Sequence, residues 1–190
     1  DVYKRQSLHD VGKVGVPDAV LLKPARLTPA ERRAMELHTL LGSECLAAIQ
    51  AQLGEDDFLK LAQQIALSHH EHWDGSGYPQ GLQGKRIPLA ARIVALADVY
   101  DALTSNRPYK GPVKHSEAKE WIAARYGTQF DPSVVEAFVG REEEFARISA
   151  ECRGVDVDAA AAPADLGDAD PAPAAPSAAP MEDASLTTLV

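Results

Sequence analysis

Cysteine is scarce in this chain of 190 residues: there are two, Cys45 and Cys152. They lie far apart and follow neither a metal-ligand nor a redox spacing, which excludes a thiolate metal site and a disulfide framework. Cys45 falls in a helical pattern where a small apolar residue would serve, so it reads as a reduced core thiol. No apolar run approaches the roughly 18 residues of a membrane span, and no secretory signal is present. The expected compartment is therefore the cytoplasm. Alternating strand patterns and internal repeats are also missing. Nor does the folded part carry a strong charge of one sign. Residues 153–190 hold seven acidic side chains and one arginine, which is −6 of the formal −9 and leaves residues 1–152 at about −3. Bulk charge thus advertises no polyanion; anion binding must come from a local site.

What remains is helical, and the expected fold class is all-α. Thr28-Pro29-Ala30-Glu31 is a capping box with Pro at the first helical position, and it opens a helix to about Gln50. Its apolar positions Met35, Leu41, Cys45, Leu46 and Ile49 recur at helical spacing. A second helix is expected from Asp57 to His70, burying Phe58, Leu61, Ile65 and Leu67. A Gly-rich loop runs from Asp74 to Gly84 and reaches Pro88. An Ala-rich apolar helix follows over 89–105. Ser116 is placed to cap a helix that Gly127 ends, and Asp131-Pro132 opens a last helix to about Cys152. From residue 153 the text is Ala, Pro and Asp without aromatics, a composition expected to stay disordered.

The chemistry lies in histidines and aspartates. His9-Asp10 are adjacent, His38 stands alone on its helix, His69-His70 are adjacent at a helix end, and Asp98 interrupts an apolar turn. Neighbours on a helix point about 100° apart, so an adjacent pair serves two metals more easily than one. A carboxylate such as Asp10 can bridge two cations. Imidazoles and carboxylates without thiolate suit Fe or Mn, with Zn and Ni open. Taken singly, each has a plainer reading: His38 as a core-edge or surface histidine, Asp98 as a cap for a neighbouring helix.

The text around them decides between these readings. It runs LHDVGKVGVPDAVLLKPARLT (8–28), LHTLLG (37–42), ALSHHEHWDGSGYPQGLQGKRIPLAARIVALADVYDALTSNRPYK (66–110) and YGTQFDP (126–132). In content and order this resembles the HD-GYP family, whose name-giving motifs match His9-Asp10 and Gly77-Tyr78-Pro79, over about residues 8–140. The resemblance implies a helical bundle with two or three divalent metals, iron or manganese foremost. Its ligands would be His9, Asp10, His38, His69, His70 and Asp98, with Asp10 as the bridge. It implies hydrolysis of cyclic di-GMP by metal-activated hydroxide to linear pGpG, and to GMP if both bonds are cut. Lys13 would hold the attacking water or a phosphate oxygen, making Asp10 and Lys13 the catalytic pair. Gly77, Tyr78 and Pro79 would shape the mouth of the site. Arg107 and Lys110, otherwise plain solvated charges, would bind phosphate or guanine. Asp101 would orient a ligand residue. His72 and His115 match no ligand position.

One element of the family pattern is missing. Its members carry a further histidine ligand upstream of the His-Asp pair, where only Asp1–Gln6 precede Ser7. Those six residues back-translate plausibly into a transposase end sequence used to prepare sequencing libraries, so they are expected to be a non-native leader. A chain without the upstream ligand is expected to bind metal substoichiometrically. Two rival functions remain at this point: another cyclic dinucleotide as substrate, or a catalytically silent domain that binds nucleotide or docks a partner. An upstream receiver or sensor domain and diguanylate cyclase partners would fit the family.

Overall fold

The computed structural model describes residues 8–105 and 111–153. The leader, Arg107, Lys110 and the Ala/Pro tail lie outside the described residues. A 3-10 segment over Leu8–Gly15 comes first, then α1 (Asp18–Leu21), α2 (Pro29–Leu53) and α3 (Asp57–Ser68). After a loop with a short 3-10 turn come α4 (Leu89–Thr104), α5 (His115–Ala123), α6 (Pro132–Val139) and α7 (Glu142–Arg153). Among the described residues there is no strand, and the fold is all-α. No helix among them is long and apolar enough to cross a membrane.

α2 begins where its capping box dictates. The Glu31 backbone N–H donates to Thr28 Oγ1, and the Thr28 N–H donates to the Glu31 carboxylate. Its buried stripe is Met35, His38, Thr39, Gly42, Ser43 and Leu46. Leu41, Cys45 and Ile49 lie outside that stripe and are exposed, so Cys45 is a surface thiol and not a core one. α3 departs from expectation in the same way. It buries Ala62, Ala66 and Ser68, whereas Phe58 and Leu61 are 66% and 46% exposed. The reason is close approach: α2 packs against both α3 and the 3-10 segment, and Ala62 and Ala66, one turn apart, meet Leu46 where larger side chains would hold the helices apart.

The other end of the molecule has its own core. Leu96, Val99, Tyr100 and Leu103 of α4 pack on Ile122, Phe130 and Phe138. Ser116 does not cap α5; Lys114 holds the N-cap position and Ser116 falls inside the first turn. The single helix expected over 132–152 is two helices, broken at Gly140-Arg141. The turn brings Phe145 edge-on to Phe138 and Tyr100, at 4.9 and 5.3 Å between centroids, a contact that a straight helix could not make. α4 contacts both α3 and the α5–α6 unit, and so carries Asp98 to the junction of the two halves.

Candidate metal centre

At that junction the structure brings together His9, Asp10, His38, His69, His70 and Asp98. Each comes from an element whose local sequence puts it there. His9 and Asp10 ride on the 3-10 segment, which lies against α2 at Gly12. A Cβ on Gly12 would sit 1.9 Å from the His38 carbonyl oxygen and 2.4 Å from the Gly42 nitrogen, so only glycine permits this contact. His38 is fully buried on α2. His69 and His70 lie just past the last residue of α3, and Asp98 lies in the third turn of α4.

The rings are oriented from behind. His38 Nδ1 donates to the Met35 carbonyl at 2.7 Å, and His69 Nδ1 faces the Ile65 and Ala66 carbonyls at 3.0 and 3.1 Å. Carbonyls only accept, so both rings carry a proton on Nδ1, which in the neutral imidazole leaves Nε2 as the lone-pair nitrogen. Those Nε2 atoms face each other at 3.4 Å. They lie 3.5 and 3.8 Å from Asp10 Oδ1, which is buried without a hydrogen-bond partner among the described residues. Three potential ligand atoms therefore converge on one small volume. Among the described residues, two groups of ligand atoms have the compactness for an ion: His38, His69 and His70, and His9, Asp10 and His69. Asp98 Oδ1 closes on the second group, 3.6 Å from His9 Nε2.

Electrostatics follow this geometry. Burial by itself would lower His9, but the Asp10 and Asp98 carboxylates outweigh it and raise the imidazole to about 9. Burial would raise Asp10, but His9 and Lys13 hold it far below the carboxylate range. Lys13 Nζ donates to Asp10 Oδ2 at 2.7 Å. Burial, with the positive charge of His9, lowers His69 to about 4, and burial beside His69 pushes His70 down as well. His69 and His70 are thus neutral, the form that binds metal.

The Gly-Tyr-Pro loop forms the adjoining wall. Tyr78 stacks on His70, with centroids 4.8 Å apart and planes 22° apart. Gly77 passes so close to the chain that a Cβ would lie 2.3 Å from the His72 nitrogen. The Tyr78–Pro79 peptide is cis. Residues 128–129 of the Tyr-Gly-Thr-Gln-Phe-Asp-Pro motif hold the loop from the other side, through hydrogen bonds from the Trp73 and Asp74 N–H groups to the Gln129 and Thr128 carbonyls.

Glu71 also belongs to the site, although its sequence context does not single it out. It is 3% exposed, and its two oxygens accept from the Gln80 and Leu82 N–H groups at 2.7 and 2.8 Å, tying the loop's far side to the end of α3. The available signal was an acidic residue directly after the histidine pair, in a segment otherwise reading as core. Replacing Glu71 with Gln turns an amide N–H₂ toward one of those donors. A loss of about 1–3 kcal/mol is expected, read as a lower Tm; an unchanged Tm would mean that Glu71 does not hold the loop. Asp101 is exposed and accepts from Ser105 Oγ. His72 and His115 stand apart, paired with Ser76 and Tyr100.

Residues 1–134 match the HD domain family. The chain belongs to that family. With His9-Asp10 and Gly77-Tyr78-Pro79 in place, it is an HD domain of the HD-GYP type. It is 54% identical over 149 residues to a cyclic di-GMP phosphodiesterase of Vibrio cholerae, covering 78% of this chain and 30% of that protein. A probable cyclic di-GMP phosphodiesterase of the same organism is 48% identical over 166 residues, covering 87% and 37%. A third Vibrio cholerae protein, 3'3'-cGAMP-specific phosphodiesterase 2, is 43% identical over 151 residues, covering 79% and 28%. This HD domain thus spans about a third of the length of the curated relatives it matches. Divalent metals are what HD phosphohydrolases use, and the donor set here fits them: convergent Nε2 lone pairs, a buried carboxylate oxygen and no thiolate.

Proposed function

We propose that this HD domain hydrolyses cyclic di-GMP to linear pGpG, and onward to GMP when the second bond is cut, with two or three divalent cations, iron or manganese, as cofactors. One observation carries the reading: the Nε2 atoms of His38 and His69 lie 3.4 Å apart and 3.5 and 3.8 Å from the Oδ1 of Asp10, three ligand atoms turned on one small volume. A divalent cation placed among them would satisfy all three. His9, Asp10, His38, His69, His70 and Asp98 would hold it. Bound there, divalent ions supply Lewis acidity toward a phosphoryl oxygen and a water activated for attack.

The chain's own residues do the rest. Asp10 turns Oδ1 inward while Lys13 fixes Oδ2, so the carboxylate keeps one orientation. The carbonyls behind His38 and His69 lock their tautomers. Tyr78 covers His70 and bounds the cleft that would receive the dinucleotide. Water oxygen joins phosphorus, the P–O3′ bond breaks, and the leaving oxygen takes up a proton, which gives the 5′-phosphate of pGpG. Arg107 and Lys110 would contact phosphate or guanine.

Lys13→Ala should spare metal content and slow turnover about 10- to 100-fold, since it removes a charged contact and no ligand. Loss of metal in this variant would recast Lys13 as part of the cation site. A second reading, turnover of a mixed guanine–adenine cyclic dinucleotide, is favoured by the 43% identity to the 3'3'-cGAMP-specific relative. Chromatography of products from both substrates, with manganese or iron and after chelation, tests the proposal. Metal-dependent pGpG is expected; cyclic di-GMP left intact while the mixed dinucleotide is consumed would favour the second reading.

A further inference from the structure

Two side chains of the cleft have no place in the cation cluster. Arg32 and Glu36 lie one turn apart on the same stripe of α2 and line the same cleft as His70, Tyr78, Asp98 and Gln129. Both are half-buried. Neither stands out in the sequence, because an Arg and a Glu near the start of a helix read as solvated surface. The cleft thus joins the imidazole and carboxylate cluster, which suits a phosphodiester, to a carboxylate, a guanidinium and an amide, which suit the edge of a base.

We infer that Glu36, with Arg32 beside it, is a specificity-determining residue that reads guanine in the bound cyclic dinucleotide; this rests on the phosphodiesterase reading above. Guanine presents adjacent donors, N1–H and the N2 amino group, beside the acceptors O6 and N7. A carboxylate only accepts and a guanidinium only donates, so Glu36 matches the first pair and Arg32 the second. Adenine offers an unprotonated N1 where guanine has N1–H, and it lacks the 2-amino group. Against Glu36 it would set a lone pair against a carboxylate, a repulsive contact. That penalty rejects adenine more strongly than the matched contact favours guanine.

The test compares metal-loaded wild type, Glu36→Gln and Glu36→Asp on cyclic di-GMP, cyclic di-AMP and bis(p-nitrophenyl) phosphate, with metal content and Tm measured alongside. Glu36→Gln should lose roughly 5- to 100-fold in kcat/KM on cyclic di-GMP, mainly through KM. Its loss on the nitrophenyl ester should be much smaller, its metal content should match wild type, and its guanine-over-adenine ratio should shrink. Glu36→Asp, which keeps the charge, should keep the preference. An unchanged ratio in Glu36→Gln, or parallel losses on all substrates, would overturn the inference while leaving the phosphodiesterase reading intact. A wild type that cleaves the nitrophenyl ester but no cyclic dinucleotide would overturn that reading, and this inference with it.

Discussion

Asp10→Ala should lose both bound metal and turnover, and lose more than the roughly 10- to 100-fold that removal of an outer-sphere partner costs. The expectation follows from position. Asp10 faces His9 through Oδ2, His38 and His69 through Oδ1, and Lys13 through Oδ2 again. No other carboxylate among the described residues touches so many members of the cluster, so its removal strips charge from every subsite at once. Asp10→Asn is the sharper variant, because it keeps the shape, halves the acceptors and removes the charge. It should fold normally and still fail to retain metal on dialysis. Metal content and rate at wild-type levels in both variants would mean that the cations, if any, are held elsewhere.

Gly12→Ala should be nearly as damaging, although it touches no ligand atom. A methyl group there would meet the His38 carbonyl oxygen and the Gly42 backbone at 1.9–2.4 Å, and neither can swing away. The 3-10 segment must lift from α2 by on the order of an ångström to restore ordinary contact. Metal–ligand distances tolerate only about 0.2 Å. His9, Asp10 and Lys13 would therefore lose register with His38 and His69. Overpacking of this kind costs about 1–3 kcal/mol, or a Tm fall of roughly 2–12 °C for a chain of this size. Gly15→Ala is the control. Its nearest neighbour is the flexible tip of Leu41 at 2.8 Å, which can move, so both Tm and metal content should stay close to wild type. Equal tolerance of both substitutions would contradict the packing described for the segment.

These two positions also show what a sequence can and cannot reveal. The helix boundaries set by local chemistry were legible: the Thr28–Glu31 capping box, the Ala-rich α4, and the histidine pair at the end of α3. So were the six residues that the fold gathers, through the motifs around them that resemble the HD-GYP family and not through their spacing, since each taken singly has a plainer reading. Packing faces were less legible. Large side chains such as Phe58 and Leu61 suggest burial, yet α3 meets α2 through Ala62 and Ala66, since small residues decide how closely helices approach. The break at Gly140 has the glycine as its local signal, whereas the contact of Phe145 with Tyr100 that follows it is long-range and has none. Glu71 gave one faint local signal, an acidic residue directly after the histidine pair. Its role becomes visible only when the loop folds back to place two N–H groups on its oxygens.

The central claim is that one cluster, built from His9, Asp10, His38, His69, His70 and Asp98, binds divalent cations and supports phosphodiester hydrolysis. Anomalous diffraction at the iron and manganese edges, from crystals of the metal-loaded protein, tests it most directly. Strong peaks are expected at about 2.0–2.2 Å from His38 and His69 Nε2 and from an oxygen of Asp10. A well-ordered, catalytically competent crystal with no anomalous peak in this cluster, or with its metal bound elsewhere, would contradict it.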